Sequence, residues 1–289
     1  MGLERKRDVR EEEVMFSYEG KKAIVTGGGR GIGKAIALAF ARQGAVVALA
    51  ARSRDELENA AAEVDKVGSR AWTFPTDISD TEAAQDMVEG AAKAMGGLDI
   101  LVNNAGGGLD APGAGGEVID TTPEGFDYVF RLNVRSPVYA TRTAARHMIS
   151  QGRGGAILTM VSVDGLFPAP TEALYGAAKA AMVNFTQCLA YELGRHRIRV
   201  NAIAPGVVET QLTAPWLQTE EQRRDRSSFY PLGRVGQVDD VANAAVYLCS
   251  DEAGWVSGAT LLVAGGSMAT SDVFRITRKH NPVPESMKI

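Results

Sequence analysis

The chain has 289 residues and a net charge of −4, with 45% hydrophobic and 23% charged residues. That composition excludes an extended disordered chain and leaves no cationic surplus to neutralise nucleic-acid phosphates. No apolar run approaches the roughly 20 residues of a membrane helix, and the opening MGLERKRDVREEEV lacks the apolar core of a secretory signal.

In chain order, residues 1–19 read as a charged tail with little apolar surface to anchor it. A strand is predicted over 22–26, a glycine-rich turn over 27–33 and a helix over 34–42. Further strands are predicted at 46–50, 71–74, 100–103, 156–161, 199–204 and 260–263. Helices fill the gaps: one carries Leu57, Ala61 and Val64 on a face, and others cover 82–95, 126–150, 174–194 and 238–250. Nearly all-apolar strands separated by helices predict an α/β fold, a single Rossmann-like doubly wound parallel sheet with helices on both faces. One domain over 20–270 and a polar C-terminal tail over 271–289 follow. Residues 106–116 read as a loop. Residues 210–231 read either as a mobile flap over a site or as an irregular surface helix pair. Cys188 and Cys249 sit in apolar helical patterns and read as buried free thiols, consistent with a reducing cytoplasm. His147, His196 and His280 share no ligand spacing, so no metal site is expected, and the Arg223-Arg224 pair reads as a solvated helix face.

The first motif, Thr26-Gly27-Gly28-Gly29-Arg30-Gly31-Ile32-Gly33, follows a strand and opens a helix. Glycines let the backbone approach a pyrophosphate, and a helix N-terminus offers free N–H groups and partial positive charge. At the end of the second strand, Ala50-Ala51-Arg52-Ser53 carries no acid of the kind that binds ribose hydroxyls in NAD enzymes. Arg52, with Arg30, suits a 2′-phosphate. NADP(H) is therefore favoured, although Ala51 sets up no repulsion that would exclude NAD(H). Tyr175 and Lys179 lie four apart on one helix face, where an ammonium stabilises a phenolate. Ser162 ends a buried strand at the carboxyl edge of the sheet, where ligands bind in open α/β folds.

The glycine loop, Asn103-Asn104-Ala105-Gly106, Ser162, the Tyr175/Lys179 pair and Pro205-Gly206 with Thr210 occur in the order seen in short-chain dehydrogenases/reductases. The resemblance covers about residues 20–266. It implies reversible hydride transfer between a nicotinamide cofactor and a secondary alcohol or ketone. Tyr175 would be the acid/base, Lys179 its electrostatic partner and a ribose ligand, Ser162 the carbonyl-polarising hydroxyl, and Asn133 the holder of a relay water. Gly27, Gly29, Arg30, Gly31, Ile32 and Gly33 would take the pyrophosphate region. Arg52, Ser53, Asp77 and Ile78 would take the adenosine, and Asn104, Ala105 and Gly106 would line the cofactor. Pro205, Gly206, Val208 and Thr210 would flank the nicotinamide. Ala264 replaces an acid common in the family, without touching a catalytic role. The resemblance also implies a homotetramer.

The stretches 101–108, 201–206 and 255–266 resemble bacterial bile-acid hydroxysteroid dehydrogenases. Leu212, Trp216, Leu217 and Phe229 would either wall an apolar slot suited to a steroid or pack the flap onto the core or onto another subunit. The alternatives are a 3-oxoacyl-thioester (acyl-carrier-protein) reductase, a general carbonyl reductase or, in a different class, a catalytically silent cofactor-binding regulator.

Overall fold

A computed structural model describes residues 16–108 and 110–267 of the chain. The tail expected over 271–289, and all but the last four residues of that expected over 1–19, lie outside these residues. Seven strands form one parallel sheet: β1 Lys22–Thr26, β2 Val46–Ala51, β3 Ala71–Pro75, β4 Ile100–Asn103, β5 Gly155–Met160, β6 Ile198–Pro205 and β7 Thr260–Val263. Their spatial order is β3-β2-β1-β4-β5-β6-β7. At the centre Val25 of β1 pairs with Leu49 of β2 on one side and Val102 of β4 on the other. The order reverses between β1 and β4, so a crevice opens beyond their carboxyl ends.

The strands are apolar on both faces because both faces are covered. On one face α1 (Gly31–Arg42), α2 (Arg54–Lys66) and α8 (Val238–Cys249) bury Ile36, Phe40, Leu57, Val64, Val241 and Ala245. On the other face α3 (Thr81–Met95) and α5 (Ser136–Gln151) bury Met87, Val88, Ala144 and Met148.

The single helix predicted over 126–150 is two helices, α4 (Pro123–Phe130) and α5, joined by a π-helical turn over Arg131–Arg135. Pro137 explains the break, since it has no N–H to return to the carbonyl of Asn133 four residues earlier. The opened turn carries Asn133 inward.

Residues 16–19, read from the sequence as the end of a charged tail, pack on the core instead. Tyr18 is 1% exposed, stacks on Phe40 at 5.0 Å and donates its hydroxyl to the Val246 carbonyl. Phe16 meets Tyr247 edge-on.

The expectation of two buried thiols holds for Cys249 and fails for Cys188, which is exposed on α6 (Ala173–Gly194). That helix is apolar nearly all round, but it buries Ala178, Met182 and Thr186, one face four residues apart. Cys188 lies off that face. Residues 210–231 form an ordered surface segment: a 3₁₀ turn at Ala214–Trp216 and α7 at Glu220–Ser227, whose start is fixed by a capping box between Thr219 and Gln222. Leu217, Tyr230 and Val235 cluster beneath it, and the Tyr230 hydroxyl accepts from Val207 N at 2.7 Å. Arg223 pairs with Glu209 at 2.7 Å.

Candidate active site

The loops after β1, β2, β3, β4 and β6 line one cavity of about 350 Å³ at the carboxyl edge of the sheet. Its floor is the glycine loop, with Gly27, Gly29, Arg30, Gly31 and Ile32 facing it. Gly27 is left-handed at φ +65°, and a Cβ there would come within 2.7 Å of Asn104 Nδ2. A Cβ on Gly33 would lie 2.2 Å from the Gly27 carbonyl oxygen, so Gly33 lines no cavity but lets α1 begin directly under the loop.

The start of α1 differs from those of its neighbours. Arg30 precedes it in an extended conformation without capping it, and its first turn holds no acid. By contrast α2 and α3 are capped by the side chains of Ser53 and Asp80. The first N–H groups of α1 therefore keep no side-chain acceptor and face a cavity that side chains would otherwise fill. This cradle fits a dinucleotide pyrophosphate.

Arg52, Ser53, Asp77 and Ile78 line the far end of the cavity. Arg30 is held by Glu56 at 3.2 Å, whereas Arg52 is exposed and has no ion pair among the described residues. Asn104, Ala105 and Gly106 line the near end, and Thr210 faces it from beyond β6. Pro205, Gly206 and Val208 do not line the cavity. Pro205 closes β6 beside Val263, and Gly206 abuts Tyr230 and Ala264. The Val208 side chain is buried in the core, because the bridge to Gly236 turns that segment inward.

Beside Gly106 lies a second group of side chains. Ser162, just past β5, donates to Asp164 Oδ2 at 2.8 Å and accepts from Asp164 N at 3.1 Å. Tyr175 and Lys179 project from the first turns of α6, and the Lys179 Nζ stands 5.4 Å from the phenol ring centre. That ammonium is 4% exposed and donates to the Met160 carbonyl at 2.9 Å. Burial pushes it down from 10.5 to about 8. Burial also raises the Tyr175 phenol above its ordinary 10.0; the charge of Asp164 adds to the rise, a hydrogen bond with Ser162 opposes it, and Glu172 adds a smaller push upward.

Asn133 accepts from Gly107 N at 3.1 Å and donates to the carbonyls of Gly107 and Val129 at 2.8 and 2.9 Å. Both its amide hydrogens are thus committed to backbone, and Oδ1 keeps one free lone pair. A Cβ on Gly106 would fall 2.8 Å from Asn133 Oδ1 and 2.9 Å from Lys179 Nζ, so the glycine keeps the space between them open.

The profile of a family described as enoyl-(acyl carrier protein) reductase matches residues 27–268. A short-chain type dehydrogenase/reductase from Mycobacterium marinum superposes with a TM-score of 0.80 at 34% identity, covering 88% of this chain and 97% of that one. The chain is a short-chain dehydrogenase/reductase. L-rhamnose 1-dehydrogenase (NAD(P)(+)) of Sphingomonas sp. strain SKA58 is 35% identical over 87% of this chain and 98% of its own length. The 7alpha-hydroxysteroid dehydrogenase of Escherichia coli K12 is 36% identical over 86% and 95%. This short-chain dehydrogenase/reductase is accordingly an oxidoreductase of alcohols and ketones that uses NAD(H) or NADP(H).

Three residues of this dehydrogenase/reductase carry roles that the sequence does not assign. Thr26 ties the crevice together: its hydroxyl donates to Val102 O and accepts from the N–H groups of Asn104 and Ala105 at 2.9 and 3.0 Å. Glu56 lines the cavity and occupies Arg30. Asp164 binds Ser162. A Thr at a strand end beside a glycine loop was a usable signal for the first. Glu56 and Asp164 depend on contacts that spacing does not encode.

Proposed function

We propose that this enzyme interconverts a secondary alcohol and a ketone with Tyr175 as acid/base, Lys179 as its electrostatic partner and Ser162 as the hydroxyl that holds the reacting oxygen. Asn133 and Gly106 then frame the proton path beside Lys179. The observation that carries this reading is the buried Lys179 ammonium, 5.4 Å from the Tyr175 ring centre on the same helix, with Ser162 close enough to act on the phenol. Oxidation moves the hydroxyl proton of the alcohol to the Tyr175 phenolate and its carbinol hydrogen away as hydride; reduction returns both. The bound nicotinamide takes or gives the hydride. Burial alone opposes the phenolate, and the Lys179 charge favours it.

NADP(H) is the preferred cofactor, through Arg52, whose guanidinium has no other ion pair among the described residues. Arg30 adds less, because Glu56 holds it. Measuring kcat/KM with NADP⁺ and NAD⁺ tests the preference. Arg52→Ala is expected to erase it and Glu56→Gln to enlarge it; equal use of both cofactors by the wild type would refute it.

Two walls of the cleft support two substrate readings. The hydroxysteroid reading rests on the exposed apolar Leu212 and Trp216 and on the likeness to the Escherichia coli hydroxysteroid dehydrogenase. Its wall is thinner than the sequence implied, since Leu217 is 2% exposed and turned into the cluster under the flap. A small polyhydroxylated substrate is favoured by the carboxylate of Asp164 beside Ser162.

A cytoplasmic homotetramer is the proposed assembly. Large apolar groups stand in water on α6 (Tyr191, 91% exposed), just past α8 (Trp255, 100%) and on β7 (Leu261). Among the described residues no helix is long and apolar enough to cross a membrane.

A turnover screen of hydroxysteroids, 1,2-diols, simple alcohols, ketones and 3-oxoacyl thioesters, repeated with Tyr175→Phe, tests the reaction. The variant is expected to lose at least a hundredfold in kcat, within the range for a removed acid/base, while binding NADPH like the wild type. Wild-type turnover by the variant would overturn the assignment. Failure of the whole panel would leave a cofactor-binding regulator.

A further inference from the structure

Ser162 stands where the reacting oxygen would bind, and its nearest polar neighbour is a carboxylate that the proposed reaction does not use. Asp164 lies in the 3₁₀ turn Val163–Gly165 that follows Ser162. Its Oδ2 accepts from Ser162 Oγ at 2.8 Å, and its own N–H donates back to that oxygen at 3.1 Å. The turn is pressed against the start of α6: a Cβ on Gly165 would meet the Lys179 backbone at 2.8 Å, and one on Gly176 would meet the Asp164 carbonyl oxygen at 2.8 Å. Asp164 is therefore fixed in place relative to both Ser162 and Tyr175.

An ionised carboxylate has about four acceptor positions. Among the described residues Asp164 receives one hydrogen bond from a side chain, that of Ser162, and forms no ion pair. It is half-buried, so its remaining lone pairs are open to donors from solvent or from a bound ligand. The other charged groups around this point are Glu172 at the head of α6, Arg226 of α7 acting on Glu172, and Lys179 behind the phenol. Lys179 is taken by the Met160 carbonyl. The charge of Asp164 raises both Tyr175 and Glu172, which shows that its field reaches the reacting end of the cleft.

We propose that Asp164 is a specificity-determining residue: it accepts a hydrogen bond from a hydroxyl on the carbon next to the reacting carbinol, so the enzyme selects 1,2-diols and their α-hydroxy ketones over simple alcohols. Gauche oxygens on adjacent carbons stand about one hydrogen-bond length apart, matching the 2.8 Å between Ser162 Oγ and Asp164 Oδ2. When Ser162 turns its one hydroxyl proton from Asp164 to the reacting oxygen, Asp164 Oδ2 is freed as an acceptor, and the vicinal hydroxyl comes within its reach. A site built to bind a hydroxyl rejects the analogue without it, because its own polar group loses a partner when the analogue displaces water. The inference rests on the alcohol–ketone reading above.

The test compares matched pairs, butane-2,3-diol with butan-2-ol and cyclohexane-1,2-diol with cyclohexanol, using NADP⁺ and NAD⁺. The wild type is expected to favour each diol at least tenfold in kcat/KM. Asp164→Ala is expected to lower kcat/KM for the diol at least tenfold more than for the mono-ol, and Asp164→Asn to retain part of the preference. NADPH fluorescence titration shows whether each variant keeps a folded cofactor site. If Asp164 merely orients Ser162, both members of each pair fall together and the ratio stands, which overturns the proposal. A wild type without diol preference, or one active on steroids and on neither pair, overturns it as well. Inactivity on every compound of the screen would instead overturn the reaction reading.

Discussion

The glycine loop after β1 and the segment after β6 close on the same cavity from two sides, yet they are specified differently. The loop is held by backbone. Gly27 is left-handed, Gly33 has no room for a Cβ, and Thr26 and Asn104 lock the turn, each side chain bonded to the other's main chain. The flap is held by side chains packed on one another: Leu217, Tyr230 and Val235 form its small core, and Tyr230 reaches back to Val207. A pyrophosphate is the same in every turnover, and rigid N–H groups at a helix start suit it. Substrates vary between relatives, and a side-chain cluster can be changed without disturbing the sheet.

The largest effect expected from breaking this contrast is on the loop side. Gly33→Ala sets a methyl group 2.2 Å from the Gly27 carbonyl oxygen, and backbone must move to admit it. The same small change at an open flap glycine, Gly233→Ala, meets no atom within 4 Å but must accept a φ of +73°. Cofactor affinity is expected to fall more than a hundredfold for Gly33→Ala, equivalent to about 2.7 kcal/mol. Gly233→Ala is expected to cost only the roughly 1 kcal/mol of a left-handed alanine. NADPH fluorescence titration with circular dichroism as a fold control reads both. Equal losses would erase the distinction.

Between the two regions sits the buried Lys179, where stability and the proposed chemistry oppose each other. Its ordinary value of 10.5 is pushed down to about 8 by burial. From about pH 8 to 10.5 the unfolded chain keeps a proton that the folded chain has shed, so stability rises with pH across that window. Below about pH 8 the full cost of the buried charge is carried. Lys179→Met is therefore expected to stabilise the fold at pH 7 by up to about 3 kcal/mol, less the roughly 1 kcal/mol of the lost Met160 hydrogen bond, and so to raise the Tm. The gain should shrink as pH approaches 10.5, while turnover collapses at every pH. A variant less stable than wild type at pH 7 would mean that the ammonium is stabilised, not merely tolerated, by its surroundings.

The same contrast decides what the sequence reveals. The strands, the glycine loop and the placement of Ser162 with Tyr175 and Lys179 are written in local patterns: apolar runs, a glycine triplet and a spacing of four. The split at Pro137 was legible in principle, since proline withdraws an N–H from the carbonyl of Asn133. Tyr18 was hidden because its charged neighbours dominate the segment, although its ring and hydroxyl are buried against Phe40 and Val246. Leu217 and Cys188 show a different gap: hydrophobicity tells that a residue has an apolar side, not which way the chain turns it. Glu56 on Arg30 and Asp164 on Ser162 are pairings across turns, and they set the electrostatics of both ends of the cavity.

The smallest effect expected is also the one that most sharpens the comparison. Tyr230→Phe keeps the ring in its cluster with Leu217 and Val235 and removes only the oxygen that accepts from Val207 N at 2.7 Å. That N–H loses its acceptor at the root of the flap, a local cost of about 1–2 kcal/mol. Since β6 and its pairing with β7 end just before Val207, the loss should stay in the flap and leave the sheet intact. Hydrogen exchange is expected to speed up over residues 207–217 and stay unchanged in β1 and α1. The KM for substrate should rise a few-fold while the NADPH dissociation constant moves by less than about twofold. Thr210 and Leu212 line the cofactor cavity as well as belonging to the flap, so the NADPH constant reads whether the flap also grips the cofactor. An equal weakening of NADPH binding would show that the flap clasps the cofactor as firmly as the loop does, and the division between a backbone-built cofactor site and a side-chain-built substrate site would fail at that point.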